Sequence, residues 1–245
     1  AKSLLKEGWK ITVSVVSYRA SIPYEKLNVD KILIGALISE DEVRKVILNV
    51  RNNQAGFHCV IDLTHPFATK ITPTISKVCK ELEQPFIRYE RPIDNISNAF
   101  LIKNFSDLGD YELKNKSILL ALGVRNLQEV LVFVRNLGAN VYTRVLANPE
   151  SIKKTLSSSI LKTNFAILNP LGSSDGEIEK ALIRKWNIDG VVCRQSGGRT
   201  EKLWQRVCLS MGIDLWLLER PPNLQNVNTI DSYEKLINRL QSISL

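Results

Sequence analysis

The chain has 245 residues, of which 44% are hydrophobic and 24% charged, a composition typical of a globular protein with one large or two small domains. No apolar run reaches the roughly 20 residues that a membrane-spanning helix needs, and no signal peptide is visible, so we expect no membrane partner. Lys and Arg total 33 against 25 Asp and Glu, a formal charge of +8 at pH 7. This excess favours an acidic partner, either a nucleic acid or a small molecule with several negative charges.

Strand and helix patterns alternate in the first part of the chain. Short apolar runs predict strands at Lys10–Val16, Lys31–Gly35, Cys59–Leu63 and Phe86–Tyr89. Helical spacing of apolar residues predicts helices at Ser39–Asn52 and Ala68–Leu82, the second of which Pro73 must start, kink or interrupt. The segment Glu90–Asn98 breaks the alternation, so we place a domain boundary there, between a first domain of residues 1–92 and a second of residues 98–245.

The second domain repeats the alternation. The predicted strands are Ser117–Leu122, Asn140–Leu146, Phe165–Asn169, Gly190–Cys193 and Asp214–Leu218. The predicted helices are Asn126–Gly138, Ser173–Trp186, Glu201–Gly212 and Ser232–Ser242. Strands that alternate with helices of this length indicate parallel sheets covered on both faces. The predicted fold class is therefore α/β, with two Rossmann-like domains and an active site in the cleft between them.

The first residues of the chain resemble an interrupted βαβ unit. Residues 1–11 read as the second part of a helix, which ends near Gly8, followed by a strand. A dinucleotide-binding unit should begin with an earlier strand and a glycine-rich turn that holds the pyrophosphate. We therefore expect the first strand of the first domain to be missing from this sequence, and we assign no pyrophosphate-binding residue.

The cysteines and histidines do not have the spacing of a metal site. The four cysteines, none of them closely paired in sequence, are Cys59, Cys79, Cys193 and Cys208. With only His58 and His65 to add, a zinc site is improbable, so we predict no bound metal. Reduced cysteines in apolar segments favour a cytoplasmic protein.

Arginine recurs at or near the carboxyl ends of the predicted strands of both domains. The residues at these positions are Arg19, Arg88, Arg91, Arg125, Arg144, Arg194 and Arg220. In parallel sheets, ligands bind at the carboxyl ends of the strands. Arginine forms paired hydrogen bonds with carboxylates and phosphates, so the set predicts an arginine-lined cleft that holds a polyanion. Any one of these arginines, taken alone, could be an ordinary solvated residue.

Two glycine-containing segments follow predicted strands of the second domain. Ser196-Gly197-Gly198 leads straight into a helix, where backbone N–H groups can face an anion, although a plain turn is the alternative. Gly123 precedes Arg125 at the end of another strand.

His65 stands where an apolar strand stops, between Thr64 and Pro66. Most isolated histidines are structural. At a strand end, however, His65 could donate a hydrogen bond to a ligand or supply a proton, because the ordinary histidine pKa lies near neutrality.

Ser17 and Arg19 bear on the choice of cofactor. In dinucleotide-binding folds, an acid after the second strand selects NAD, whereas a nearby arginine accommodates the extra phosphate of NADP. The segment around Ser17 contains Arg19 and no acid. If a dinucleotide binds, this pattern favours NADPH.

Several stretches together resemble one known family. VIDLTHPFATKI, QPFIRYERP, LALGVRNL, VVCRQSGG and LLERPP are similar to the precorrin-6A reductase family of cobalamin biosynthesis, which includes the cobalt-precorrin-6A reductases. The resemblance covers essentially the whole chain, and the segment from Asp62 to Ala68 is its most specific element. One departure is Arg194-Gln195, where many members have Lys-Asn.

The resemblance implies a two-domain oxidoreductase that transfers a hydride from NADPH to a double bond of a contracted tetrapyrrole. The substrate would be precorrin-6A or its cobalt form, a polycarboxylate. Catalysis would involve Thr64 and His65. The implied cofactor-binding residues are Ser17, Arg19, Gly35, Thr64, Pro66 and Phe67. The implied substrate-binding residues are Arg91, Gly123, Arg125, Arg144, Arg194, Ser196, Gly197, Gly198 and Lys202.

Two alternatives remain open. A basic nucleic-acid-binding domain would spread arginines over a broad face with exposed aromatic residues, whereas the aromatic residues here fall mostly in strand and helix patterns. We therefore expect no nucleic-acid partner. A different NADPH-dependent reductase is the second alternative.

Overall fold

The computed structural model describes residues 1–53, 56–93, 98–168, 175–225 and 227–243. The helices in chain order are α1 (Lys2–Lys6), α2 (Tyr18–Glu25), α3 (Glu40–Asn53), α4 (Ile71–Glu81), α5 (Leu127–Asn136), α6 (Pro149–Leu156), α7 (Glu177–Trp186), α8 (Arg199–Met211) and α9 (Tyr233–Ser242). The strands are β1 (Thr12–Val15), β2 (Lys31–Ile34), β3 (Val60–Asp62), β4 (Phe86–Tyr89), β5 (Phe100–Ile102), β6 (Ser117–Leu120), β7 (Asn140–Leu146), β8 (Phe165–Leu168), β9 (Gly190–Arg194), β10 (Asp214–Leu218) and β11 (Thr229–Ile230). Short 3₁₀ helices span Phe105–Asp110 and Lys162–Asn164.

The chain divides into two compact units. Unit 1 consists of Ala1–Thr64, Ala68–Tyr89 and Asn223–Leu245, and unit 2 consists of His65–Phe67 and Glu90–Pro222.

Unit 1 contains two parallel sheets, one formed by β1 and β2 and the other with the order β11-β4-β3. Successive residues of β4 point to opposite faces. Phe86 packs against the apolar side chains of α3 and α4, and Ile87 packs against those of α1 and α9. Helices therefore cover both faces of this sheet.

Unit 2 contains a six-stranded parallel sheet with the order β5-β10-β9-β6-β7-β8. Successive residues of these strands again point to opposite faces of the sheet, so the sheet has an apolar core on each face. Leu120, Val192 and Trp216 pack on one face, and Leu119 and Val191 pack on the other. From β6 the chain continues outward to β7 and β8, and it then returns to β9 on the other side of β6. The carboxyl ends of β6 and β9 therefore meet at a topological switch point, the usual ligand position in such sheets.

The predicted fold class, α/β with parallel sheets, is confirmed. The strands predicted at Phe86–Tyr89, Asn140–Leu146 and Asp214–Leu218 have the predicted bounds. Pro73 lies in the first turn of α4, where its missing N–H leaves no helical hydrogen bond unmade. The predicted helix start at Ser173 and the strand end at Asn169 lie outside the described residues.

The sequence patterns missed several short elements. Helix α2 contains Pro23, and proline is unfavourable inside a helix. Helix α6 begins with Asn148 as its N-cap and Pro149 in its first turn, a start signal that the sequence does contain. Strands β5 and β11 have three and two residues, too few to show a period.

The compact units differ from the predicted domains. Residues after Pro222 belong to unit 1, because β11 pairs with β4 and α9 packs on Ile87. His65–Phe67 belongs to unit 2. The predicted boundary segment lies partly outside the described residues, which omit 94–97.

The four cysteines are free thiols, three of them buried and Cys59 partly buried. Burial raises the pKa of Cys79 to about 11 and the pKa of Cys59, Cys193 and Cys208 to about 12. At neutral pH they are therefore protonated and unreactive. Within the described ranges, no helix is both long enough and apolar enough to cross a membrane.

Candidate functional site

A buried ion pair lies at the carboxyl end of β3. Asp62 and Arg88 face each other in the β3–β4 register, and Arg88 Nη1 lies 2.8 Å from Asp62 Oδ1. Their side chains are 0% and 4% exposed, respectively. Asp62 also accepts hydrogen bonds from the Thr64 N–H at 2.8 Å and from the Thr72 hydroxyl at 2.6 Å. This network fixes the backbone at Thr64, immediately before His65.

The Thr64 hydroxyl is held by its neighbours. It accepts a hydrogen bond from Arg88 Nη1 at 2.9 Å, and it lies 3.4 Å from the Thr72 hydroxyl oxygen. Because its lone pair is engaged by Arg88, Thr64 is suited to positioning the chain. The predicted catalytic and cofactor-binding roles of Thr64 stay predictions.

His65 makes its hydrogen bond through one ring nitrogen. The N–H of Phe67 donates to Nδ1 at 3.2 Å, and the two rings lie 5.8 Å apart. A nitrogen that accepts a hydrogen bond carries no proton, so the neutral ring has its proton on Nε2. The side chain is exposed, so Nε2–H is available as a hydrogen-bond donor.

The positive charges of four arginines of unit 2 act on His65. We call them the arginine cluster: Arg91, Arg125, Arg194 and Arg220. Desolvation and the positive charges of these four residues lower the pKa of His65 from 6.5 to about 4. Burial, with the charge of Arg125, also lowers the pKa of Arg194. The guanidinium of Arg194 lies over the ring of Phe67, 5.3 Å from its centroid.

We expect the pKa of His65 to lie below its ordinary value of 6.5. Water reaches the exposed ring and screens part of the repulsion between a protonated imidazole and the arginines, but not all of it. At pH 7 the imidazole is then neutral. Between pH 6.5 and about 4, His65 binds a proton in the unfolded chain but not in the folded chain. The free energy of unfolding therefore decreases as the pH falls through this range. NMR titration of a His58→Gln variant, in which His65 is the sole histidine, measures this pKa.

Arg194→Gln should raise the measured pKa, whereas Arg184→Gln, on the exposed side of α7, should leave it unchanged. A pKa at or above 6.5 in the parent would contradict this description of the site.

The turn at Ser196–Gly198 allows the arginines to come close to the backbone. Gly197 has φ +63°, and a Cβ there would lie 2.6 Å from the Pro92 carbonyl oxygen and 2.7 Å from Arg220 Nη2. A Cβ at Gly198 would lie 2.7 Å from Arg91 Nη1. Only glycine fits at these two positions without displacing a cluster guanidinium or the backbone.

Two guanidinium nitrogens of the cluster are buried and have no hydrogen-bond partner among the described residues. They are Arg194 Nε and Arg220 Nη2. Buried donors in folded proteins are normally satisfied, because an unsatisfied one loses its hydration without compensation. An anionic group bound beside either arginine would supply the acceptor that its donor lacks.

In unit 1, Ser17 and Arg19 lie where β1 leads into α2. Ser17 is the N-cap of α2, its hydroxyl makes no capping hydrogen bond, and the first turn contains no acid. Gly35 follows β2 with φ +142°, and a Cβ there would meet nothing within 4 Å. Its N–H donates to the Val15 carbonyl at 2.9 Å. An uncapped helix start with a basic residue and an open backbone beside it fits a phosphate group.

For metals, a search of the described residues finds no group of three or more His, Cys, Asp or Glu side chains that could hold an ion.

The sequence model of a family described as "Precorrin-6x reductase CbiJ/CobK" matches residues 1–241 of the chain. The chain belongs to this family. The resemblance predicted from the Asp62–Ala68 motif is thereby confirmed. Within the precorrin-6x reductase family, individual relatives are distant.

Cobalt-precorrin-6A reductase of Synechocystis sp. is 27% identical over 237 residues, which are 94% of this chain and 87% of the relative. Cobalt-precorrin-6A reductase of Methanococcus maripaludis is 28% identical over 216 residues, 86% of this chain and 79% of the relative. Precorrin-6A reductase of Mycobacterium tuberculosis is 24% identical over 238 residues, 96% of this chain and 90% of the relative. The similarity therefore extends through both compact units.

A solved structure, "CobK precorrin-6A reductase", has the same fold. It superposes with a TM-score of 0.70 at 16% sequence identity, covering 96% of this chain and 97% of that one. The chain thus has the fold of a structurally known precorrin-6x reductase.

The structure brings together many of the residues that the sequence predicted. His65, Pro66 and Phe67 form one short segment of unit 2. Predicted substrate residues within or directly beside the arginine cluster are Arg91, Arg125, Arg194, Ser196, Gly197 and Gly198. Gly123, with φ +74°, lies in the loop between β6 and Arg125. Strand-end arginines were thus a useful signal, because parallel strands bring their ends to one edge.

Two predicted substrate residues lie elsewhere. Arg144 Nη1 is 3.8 Å from Glu179 Oε1, and the Arg144 guanidinium lies 5.9 Å from the centroid of the Trp204 ring. It is held by side chains of α7 and α8, and its proposed contact with substrate stays a prediction. Lys202 is exposed in the first turns of α8, and its role also stays a prediction.

Proposed function

We propose that the protein catalyses the NADPH-dependent reduction of a double bond in the macrocycle of precorrin-6A or cobalt-precorrin-6A, a step of cobalamin biosynthesis. Family membership and the names of the relatives support this proposal. The observation that carries it structurally is the arginine cluster beside a histidine of lowered pKa, with two buried guanidinium nitrogens that have no partner in the described part of the chain.

The arginine cluster fits the chemistry of the substrate. A tetrapyrrole with acetate and propionate groups presents several carboxylates, and arginine binds each of them through paired, charge-assisted hydrogen bonds. The Arg220 side chain is only 7% exposed. A buried guanidinium is suited to a defined carboxylate more than to a nucleic-acid backbone, which needs an exposed basic face. This favours the small polyanion over the nucleic-acid alternative.

Unit 1 is the proposed NADPH-binding unit. Bound NADPH would supply the hydride, while the protein positions the reacting groups. Ser17 and Arg19 at the start of α2 would hold the additional phosphate, and Gly35 would let the backbone come close to the cofactor. We infer Pro66 and Phe67 to be cofactor contacts on the strength of the family resemblance.

His65 is proposed to act as a neutral hydrogen-bond donor. Reduction of the double bond requires one hydride and one proton. With its pKa lowered and Nδ1 accepting from Phe67, His65 is suited to polarise and orient the substrate through Nε2–H. The proton would then come from bound water.

The direct test is anaerobic oxidation of NADPH by the purified protein, with precorrin-6A and with its cobalt form as substrates. NADPH should be consumed only when one of the two tetrapyrroles is present, in step with formation of the dihydro product. Absence of turnover with both substrates would reject the proposed reaction.

Arg19→Ala should weaken the binding of NADPH more than that of NADH. The reason is that Arg19 is proposed to contact the phosphate that only NADPH carries, and one such charge-assisted contact is worth about tenfold in affinity. Fluorescence titration of both cofactors measures the difference. Arg19→Lys keeps the charge and should recover part of the loss. Equal losses for the two cofactors would remove Arg19 from this role.

A further inference from the structure

Arg220 is held rigidly on one side. It follows β10, and its backbone N–H donates to Gln195 Oε1 at 3.2 Å. Its Nη1 donates to Glu90 Oε2 at 3.1 Å and to the Arg91 carbonyl oxygen at 2.7 Å. Nε donates to the Gln195 carbonyl oxygen at 3.5 Å. The guanidinium plane is therefore fixed from three directions.

The remaining guanidinium nitrogen of Arg220, Nη2, differs from the other two. Nη2 is buried and makes no hydrogen bond within the described residues. It lies so close to Gly197 that a Cβ there would be only 2.7 Å away. Beyond the turn, α8 starts at the N-cap Gly198, whose N–H donates to the Ser196 hydroxyl at 3.3 Å. A fixed cation, one of whose buried donors lacks a partner among the described residues, and a glycine turn thus lie together on the carboxyl side of β9 and β10.

The charges of this region also favour an anion. Glu90 is the acid that pairs with Arg220, and Glu201 accepts the N–H of Gly197 at 2.6 Å. Against these stand the four positive charges of the arginine cluster, which together disfavour a proton on His65. The excess positive charge, in a region where Arg220 is 7% exposed, is stabilised when a carboxylate enters.

We propose that Arg220 is a carboxylate-binding residue that selects the tetrapyrrole substrate, and that Glu90 and Gln195 are its positioning residues. The inference rests on the proposed function, because it takes the ligand to be a carboxylate of that substrate. Nη2 binds one acetate or propionate group beside the Ser196–Gly198 turn, while Nη1 stays on Glu90. Glu90 thus aims the guanidinium without contacting the substrate.

The test measures binding of uroporphyrin, a stable tetrapyrrole with acetate and propionate groups, to the full chain. Arg220→Gln removes the buried cation and is expected to raise the Kd of uroporphyrin about 30-fold. Arg220→Lys keeps a cation beside Glu90 but loses the second donor of the fork, and we expect about a tenfold rise in Kd. The Kd of NADPH should stay unchanged in both variants.

Arg184→Gln is the matched control, because Arg184 is an exposed arginine of unit 2 on α7. It should change neither Kd. Thermal unfolding confirms that each variant is folded. If Arg220→Gln does not fold, the Kd of uroporphyrin for Arg220→Lys tests the proposal by itself, because lysine keeps the positive charge beside Glu90.

The outcomes separate this inference from the proposed reaction. Uroporphyrin binding that depends on Arg220, in a protein that does not reduce precorrin-6A, would support the carboxylate site and reject the reaction. Reduction of precorrin-6A with an unchanged KM, together with unchanged uroporphyrin binding, in folded Arg220 variants would overturn the carboxylate site and leave the reaction in place.

Discussion

Arg88→Met is expected to lower the free energy of unfolding by about 3–5 kcal/mol, because it leaves Asp62 charged and buried without its partner. The same change removes the hydrogen bond to the Thr64 hydroxyl. Equilibrium denaturation in urea measures the loss. We expect turnover to fall as well, since the segment leading to His65 is no longer fixed.

Two further variants make this prediction specific. Asp62→Leu combined with Arg88→Met removes both charges, so it should be less destabilised than Arg88→Met alone. Arg44→Met breaks the exposed ion pair with Glu81 on the helices of unit 1 and should change stability little. A loss in Arg44→Met as large as that in Arg88→Met would contradict a special role for the buried pair.

Gly197→Ala is expected to impair tetrapyrrole binding severely. The new Cβ would overlap the Pro92 carbonyl oxygen and Arg220 Nη2, and it would also lie 3.0 Å from Arg91 Cβ. Because the backbone atoms cannot yield easily, the turn and the Arg220 guanidinium must move together. We expect the Kd of uroporphyrin to rise by about tenfold or more, with the Kd of NADPH unchanged.

Gly212→Ala is a close control for the backbone strain. Gly212 has φ +65°, against +63° at Gly197, but a Cβ there meets nothing within 4 Å. Both variants carry the left-handed strain of about 1–2 kcal/mol. Only Gly197→Ala should lose ligand affinity. Equal behaviour of the two variants would mean that the effect at Gly197 is general destabilisation.

The alternation of short apolar runs with helical patterns was sufficient to predict parallel α/β sheets. Local patterns do not reveal which sheet a distant strand joins, and so the return of β11 to β4 could not be predicted. The two residues of β11 carry almost no periodic signal of their own. Its place is decided by pairing with β4 and by the packing of α9 on Ile87.

The position of the arginines could be predicted, because parallel strands have their carboxyl ends at the same edge of a sheet. Arg125 follows β6 and Arg194 is the last residue of β9, and these two strands are adjacent at the switch point. The buried pair Asp62–Arg88 was missed as a pair, because the register of β3 and β4 is needed to see that the two charges face each other. The sequence does contain one signal for this pair: Asp62 and Arg88 are charged residues inside two otherwise apolar runs.

The chemistry of His65 could not be read from its sequence neighbours. A histidine with an ordinary pKa near neutrality suggested a proton donor. The surrounding arginines, which come from segments far apart in sequence, lower that pKa and favour the neutral ring. Arg220 was predicted only as a strand-end arginine; its specific role is indicated by Nη1, which Glu90 fixes, and by Nη2, for which the described residues offer no partner.

The central proposal is that this chain delivers the hydride of NADPH to a tetrapyrrole bound by arginine. Its most direct test is a single turnover with NADPH that carries deuterium at the transferable position, followed by mass spectrometry of the product from precorrin-6A and from its cobalt form. We predict that one of the two products gains a single deuterium on carbon from the cofactor. NADPH that remains undiminished, or a product whose added hydrogens all come from solvent, would contradict the account.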